Sequence, residues 1–334
     1  MTLYIAKRIV FSVFVFAVIG FVSFFVIWLI PGDFFTPLEW MVRVFDLDPD
    51  LPAVMRAHYG VDKPMIVQWW IWFSGVILHG DFGMSFMTDG PVGPYIFRPG
   101  GPVEVSLIVS GTSLLMAWLI GIPVGVLSSL SRGRRTRTLF YLFTVPWLSI
   151  PSYVIGALIH WFIYRFIDPL MVGAGLWGLC GWRFVGQPMS CAKFGSCLLH
   201  LLPIWIIVGM PIFITVVRHM RSSMHDVMEE NYTTVARSKG MREIRVLFRH
   251  ALRNAANPLV SMFGVMLPTL LMNTIIVSRL FNIPSFAQVL LTWVSYQDQH
   301  VVTAALLFYG SFMIVGNLLA DIVLVVIDPR IRYS

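Results

Sequence analysis

Six apolar stretches, at residues 9–30, 103–127, 139–166, 198–217, 259–277 and 301–327, leave this chain little choice of fold. About 20 predominantly apolar residues in a helix cross the ~30 Å hydrocarbon core of a bilayer. Inside hydrocarbon every backbone polar group must be paired within its own segment, so such runs become membrane-spanning helices. Composition agrees: 57% of the 334 residues are hydrophobic, 12% are charged and mean hydropathy is +0.78. A water-soluble domain does not carry that balance. The sequence therefore predicts an all-α integral membrane protein with six transmembrane helices.

The net charge of +7 could suggest nucleic acid, but the positive residues track the loops between apolar runs. That is a topology signal, since Lys and Arg collect on the cytoplasmic side. No basic–aromatic interleaving suits base stacking, and nucleic acid is excluded as a partner. Lys7 and Arg8 precede the first run, which is too long for a signal peptide and has no small-x-small cleavage site after it. It reads as a retained helix with a cytoplasmic N-terminus, giving a first segment over residues 1–30. Ser131-Arg132-Gly133-Arg134-Arg135-Thr136-Arg137 is then a cytoplasmic loop, as is the basic stretch 218–257, and the C-terminus is cytoplasmic.

Residues 31–102 are different in kind, with Pro, Gly and many Asp residues, and are placed outside. Within them 65–78 is apolar and holds Trp69, Trp70 and Trp72. It is too short to span, and tryptophan favours the interface, so it reads as a helix lying on the outer surface. Residues 103–217 carry the second to fourth spans. Pro146 and Pro151 break the third, where proline frees a carbonyl and kinks the rod; this is either a gate-lining bend or ordinary bundle packing. Cys180, Cys191 and Cys197 all fall outside, where an oxidising compartment permits one disulfide among them with one thiol left over. Residues 258–334 carry the last two spans. Pro268 and Asn273 in the fifth are candidates for the path or for helix contacts. Asp321 in the sixth is a functional candidate by its depth, or a structural anchor.

The stretch 218–257 holds eight Lys and Arg residues between two spans. Ser222 or Ser223 is a candidate N-cap, with Asp226, Glu229 and Glu230 in the early turns. Gly240 stands where a left-handed helix C-cap wants glycine. Beyond it Ile244, Leu247, Phe248, Ala251, Leu252 and Ala255 recur at helical steps, with Arg242, Arg245, Arg249 and Arg253 on the other faces. The pattern predicts an amphipathic helix–glycine–helix element held against the membrane face.

Tyr232, Ala236-Arg237-Ser238-Lys239-Gly240, and Arg249 to Ala255 with Pro258 resemble the cytoplasmic "EAA" loop of binding-protein-dependent ABC importers. The closest likeness is the peptide subfamily of oligopeptide, dipeptide, nickel and glutathione permeases. The likeness extends to His58–Pro64, Gly80-Asp81-Phe82-Gly83, Phe281 with Pro284, Asn317 to Asp321, and Asp328-Pro329-Arg330. Two positions depart from the family pattern. Thr234 stands where importers in general carry Glu, which the peptide branch often lacks, and Ser285 replaces a glycine. The resemblance implies the type I ABC importer permease fold, with an external segment between the first two helices, in the bacterial inner membrane. It implies that Glu230, Tyr232, Thr234, Ala236, Arg237, Lys239 and Gly240 couple to an ATPase subunit, with Ala236 small so that its helix can enter the ATPase cleft. The implied partners are two ATPase subunits, a second homologous permease and an extracytoplasmic solute-binding protein.

There is no Gly-x4-Gly-Lys-Ser/Thr phosphate loop, no nucleophile triad and no metal-binding helix signature in the sequence. This chain is expected to bind no cofactor of its own and not to be an enzyme, with ATP and Mg held by the partner ATPase subunits. The expected solute is a di- or oligopeptide; nickel, glutathione, opine or oligosaccharide are the alternatives within the class. A secondary transporter is a further alternative, which would show inverted repeats and buried coupling charges. A membrane-embedded enzyme or scaffold would lack ATPase partners.

Overall fold

The computed structural model describes residues 2–130, 133–167, 178–181, 184 and 186–327. Several motif residues lie outside them, namely Ser131, Arg132, Asp168, Asp328, Pro329 and Arg330, as do the side chains of Arg134, Thr136, Arg137, Arg249 and Pro268. Among the described residues five helices are long and apolar enough to cross a membrane: Arg8–Trp28, Pro102–Leu130, Cys191–Glu229, Asn257–Leu280 and Gln299–Val323. A sixth crossing exists if Thr138–Ser149 and Ser152–Phe166, bent by 97° to each other, form one span. Among the described residues the backbone is otherwise helix and loop, with one isolated bridge between Met84 and Pro91. The helices belong to two compact units, residues 1–105 with 284–314 and residues 106–283 with 315–334.

In the first unit, helix Met65–His79 is the apolar segment that the sequence reads as lying on the outer surface. It packs against the side of the first apolar helix. Trp69 meets Phe21 edge-on at 5.3 Å, Trp72 lies 6.2 Å from Phe24, and Phe73 lies 6.3 Å from Phe16. At 1.5 Å per residue these partners sit about 6 to 18 Å below Trp28, so the three aromatic rings bury into the span's flank. The same unit closes around Phe24, Phe35, Phe86, Ile96 and Phe286, all buried.

Asp298 ties this unit together. It is fully buried, and its Oδ2 accepts from Ser85 Oγ (2.8 Å), Phe86 N (2.8 Å) and Met87 N (3.2 Å). Its Oδ1 accepts from Val301 N at 3.3 Å, which caps the helix that starts at Gln299. Burial pushes this carboxyl above the ordinary value, and the hydrogen bonds oppose it. A second cluster joins Asp33, Arg56 and Glu39. Arg56 Nε and Nη2 donate to Asp33 at 2.7 and 2.9 Å, and Nη1 lies 2.6 Å from Glu39. Tyr59 donates to Asp89 at 2.7 Å, and burial followed by that bond pushes the phenol up to about 12. Ser285 needs no glycine, because its φ of −82° is ordinary and its hydroxyl accepts from Gln288 N to cap Phe286–Ser295.

In the second unit the expected fourth span is much longer than 198–217. Cys191–Ile204, a π-helical turn Trp205–Gly209 and Met210–Glu229 run on as one apolar rod of 39 residues. No helix restarts at Ser222 or Ser223. Ile212, Val216, Val217, Met220 and Met224 keep one buried face continuous through that point. Glu229 therefore falls in the last turn of a helix, not the first. Close packing holds the rod. A Cβ on Gly125 would come within 2.6 Å of Met220 Cβ and 3.1 Å of Val217 O. The last two spans meet as closely, since a Cβ on Gly264 would lie 2.8 Å from Asn317 Cα. Small residues at such crossings let backbones approach, as membrane helices require.

Candidate functional site

The loop after the long rod is built from two stops and a turn. Glu230 leaves the helix in extended conformation (φ −68°, ψ 146°), and a short helix Asn231–Ser238 follows. It ends in a Schellman turn: Gly240 N donates to Arg237 O at 2.9 Å and Met241 N to Ala236 O at 3.4 Å. Gly240 takes φ +72°, the left-handed region where a Cβ is strained. Open space surrounds the position an added Cβ would take, so only the backbone angle asks for glycine there. The chain then re-enters helix at Glu243, passes a π-helical turn Val246–Ala251, and joins Asn257–Leu280 through Leu252–Ala255. Pro258 occupies the first turn of that last helix, where its missing N–H costs nothing.

Burial divides the side chains of the loop into an inward and an outward set. Ala236 is buried together with Thr233, whose hydroxyl donates to Met228 O and Glu230 O. The short helix packs through these two residues on the rod and the π-helical turn. Ala236 is therefore small where the loop packs on itself. On the second limb the inward residues are Val246, Leu247, Ala251 and Ala255, whereas Ile244 is 71% and Phe248 61% exposed. Glu230, Tyr232, Thr234, Val235, Arg237 and Lys239 are exposed.

One pair that sequence periodicity missed fixes the two limbs. Arg237 Nη2 lies 2.8 Å and Nε 3.2 Å from the two carboxylate oxygens of Glu243, across the Gly240 turn. Hydrogen bonding to Arg237 holds the Glu243 carboxyl below the ordinary range, against a smaller effect of burial. Asn254 also donates to the Tyr232 hydroxyl at 2.9 Å. The six-residue separation of Arg237 and Glu243 is outside any helical pairing rule, which is why neither was singled out as a pair. The result is a cross-braced knuckle with Tyr232, Val235, Lys239, Ile244 and Phe248 exposed on it.

A cavity of about 350 Å³ opens at the bend of the third apolar stretch, lined by Trp147, Pro151, Tyr153, Pro211, Met272 and Asn273 among others. The bend follows from sequence. Proline disfavours helical backbone in the residue before it, and Ile150 is extended at φ −93°, ψ 126°. Of the candidate path residues, Pro151 and Asn273 come together here. Pro146 lies within helix Arg134–Ser149 and Asp321 within Gln299–Ile327, and neither lines this cavity. The backbone at Pro268 is helical.

Cys180 and Cys197 are joined in a disulfide, and Cys191 is free and exposed. Gly178 N donates to Phe281 O at 2.9 Å, so the disulfide-bearing segment is tied to the end of helix Asn257–Leu280.

Comparison with known proteins accounts for the whole chain. Residues 121–333 match the family described as binding-protein-dependent transport system inner membrane component, and residues 1–109 match its N-terminal membrane-component counterpart. The oligopeptide transport system permease protein AppB of Bacillus subtilis (strain 168) is 29% identical over 338 residues, covering 100% of both chains. The glutathione transport system permease protein GsiC of Salmonella typhimurium is 29% identical over 332 residues, 99% of each. The dipeptide transport system permease protein DppB of Escherichia coli (strain K12) is 29% identical over 338 residues, 95% of this chain and 94% of its own. With apolar helices able to make five or six crossings and matches running from end to end, the chain belongs to the inner-membrane-component family of binding-protein-dependent transport systems, as a multi-pass ABC importer permease whose ATP is hydrolysed by partner subunits.

Proposed function

We propose that this permease forms one half of a pathway for short peptides, and that its knuckle at residues 230–248 is the contact through which an ATPase subunit drives it. The observation that carries the coupling reading is the knuckle itself: a Schellman turn, locked by Arg237 and Glu243, with an exposed apolar and basic rim. Exposed Val235, Ile244 and Phe248 on one knuckle are unlike a loop meant to face only water. Peptide is favoured as solute by the names of the full-length relatives, two of which are oligopeptide and dipeptide permeases.

In this reading two ATPase subunits hold ATP and Mg, a second permease completes the pathway, and a solute-binding protein docks from outside. Both termini and the loops at 131–137 and 218–257 face the cytoplasm, and 31–102 and 168–196 face outward. The disulfide supports that orientation, because such bonds persist in oxidising compartments. Closure of the ATPase subunits pushes the knuckle and opens the helices outward; hydrolysis resets them. Solute acts only through its different affinity for the two states.

The test is single-cysteine labelling in a Cys191→Ser background, with Asp50→Cys, Arg134→Cys and Arg237→Cys and an impermeant maleimide. Position 50 should label from outside and positions 134 and 237 only in opened cells. External labelling of position 134 would overturn the orientation. Uptake of a labelled tripeptide into vesicles holding the full transporter and its binding protein tests the solute, and uptake of nickel or oligosaccharide instead would overturn the peptide reading.

A further inference from the structure

Helix Met65–His79 carries no Asp, Glu, Lys or Arg, and its apolar residues are spread around the whole circumference. A helix of that kind needs apolar surroundings on every side. One side has them in Phe16, Phe21 and Phe24 of the first span. The other side is bare: Ile66, Trp70, Ile71, Ile77 and Leu78 are exposed, Trp70 at 61% and Leu78 at 72%. The polar side chains do not ask for water. Gln68 Nε2 donates to Val61 O and Lys63 O, Ser74 Oγ to Ile71 O, and Trp72 Nε1 to Phe82 O.

The first span gauges the depth of this helix. Its 21 residues from Arg8 to Trp28 make ~30 Å of helix, the thickness of the hydrocarbon core. Trp28 then marks one edge, and the aromatic partners lie about 6 to 18 Å inside it. A Cβ on Gly20 would come within 3.2 Å of the Phe73 ring, so nothing separates the two helices there. Both flanks of the short helix nevertheless return to the Trp28 edge. Ahead of it, Arg56 and Tyr59 are held by Asp33 and Phe35, just beyond Trp28. Behind it, Met84 O lies 2.8 Å from His300 Nδ1, close to Gln297, whose Nε2 reaches Pro31 O. At 15 residues, about 22 Å, the helix is too short to cross. It dips in and comes back.

That depth decides what covers the bare face. Water there would leave a cluster of large apolar side chains unburied, and a water-soluble partner does not enter hydrocarbon. The choice lies between another membrane helix and acyl chains. Helices in membranes approach each other through small residues, as Gly310 does here against Ile19. The bare face offers only bulky residues. The one glycine of the helix, Gly75, is turned to its own chain, where an added Cβ would lie 3.3 Å from Asp81 O. Branched side chains and an indole, with no small residue to seat a second backbone, suit a fluid partner.

We propose that Met65–His79 is a lipid-binding element, immersed in the leaflet on the Trp28 side, with phospholipid acyl chains covering its bare face. It is the part of residues 31–102 that leaves water. The inference needs only that the first span crosses the bilayer, so a different solute or coupling surface leaves it standing.

The experiment uses the complete transporter with its binding protein, in nanodiscs containing tritiated phosphatidylethanolamine and phosphatidylglycerol. p-Benzoylphenylalanine replaces Ile71 or Leu78, and Asp50 for the aqueous control. Irradiation should tritiate the permease from positions 71 and 78 and severalfold less from position 50. Ile71→Cys and Leu78→Cys, in a Cys191→Ser background, should react with an anionic maleimide about tenfold or more slowly than Asp50→Cys, because hydrocarbon excludes charge. If the p-benzoylphenylalanine variants fail to assemble, a bimane attached to the same two cysteines decides the matter, and brominated phosphatidylcholine should quench it. Adducts with a second permease or with the binding protein in place of lipid, thiols at 71 and 78 as reactive as at 50, or an unquenched bimane would overturn the proposal.

Discussion

Arg237 and Glu243 grip each other across a glycine turn, with guanidinium nitrogens 2.8 and 3.2 Å from the two carboxylate oxygens. Both side chains are substantially exposed, so the pair contributes at most about 1 kcal/mol to folding. Its effect is geometric, fixing the angle between the short helix Asn231–Ser238 and the limb that follows. Arg237→Ala should leave assembly intact yet lower transport several-fold, and the exchange Arg237→Glu with Glu243→Arg should restore much of it. Uptake measured in vesicles checks this, and equal rates for single and double variants would remove the pair from the account.

Gly240 separates backbone demand from space. Its φ of +72° costs a Cβ-bearing residue roughly 1–2 kcal/mol, while no atom lies near the position of an added Cβ. Gly240→Asn should therefore be tolerated, since asparagine visits that region most readily, and Gly240→Val should impair uptake strongly. Equal impairment by Asn and Val would mean that a partner fills the space, not that the angle matters.

The Asp33–Arg56 pair gives the first unit an acid-sensitive latch. Burial raises the Asp33 carboxyl, but hydrogen bonds from Arg56 and Thr36 outweigh it and the net shift is downward. A depressed carboxyl contributes stability that is present above its unfolded value of about 3.9 and lost as pH falls through the lower folded value. Hydrogen-exchange protection over residues 31–61, taken relative to the intrinsic rate at each pH, should therefore fall below about pH 4 in wild type. Asp33→Asn should exchange fast at neutral pH and lose most of that acid step. An acid step of the same size in both would place the titrating group elsewhere.

The cysteines make a chemical prediction. Protein prepared without reductant should yield a cross-linked peptide pair containing Cys180 and Cys197, and a single maleimide adduct at Cys191. Cys180→Ser should add a second reactive thiol at position 197. Mass spectrometry of non-reduced digests reads both, and a Cys191-containing cross-link would contradict the fold around this segment.

How much of this was legible in the sequence follows from where each signal lies. Gly240 was readable because one residue type suits a left-handed stop. The break at Pro151 was readable too, but not its 97° angle, which neighbouring helices set. Ser222 and Ser223 misled, because a capping residue is only a cap if the apolar face stops there, and Met220 with Met224 carry it through. Asp298 was invisible. Its donors at Ser85 and Phe86 come from more than 200 positions away, and no local pattern marks a residue whose partners are that distant. The Cys180–Cys197 pairing was equally closed to spacing, as any two of three cysteines satisfied the count.

The central claim is that the exposed rim of the knuckle transmits ATP hydrolysis to the helices. The direct measurement is solute-stimulated ATP hydrolysis by the complete transporter in vesicles, comparing wild type with Val235→Glu and Phe248→Glu. Both residues are exposed, at 51% and 61%, so neither change disturbs the permease interior. With insertion and binding-protein docking verified, stimulation and uptake should both fall by about tenfold or more, a coupling loss on the order of 1–3 kcal/mol. Wild-type stimulation in both variants would contradict the account and move the coupling surface away from residues 230–248.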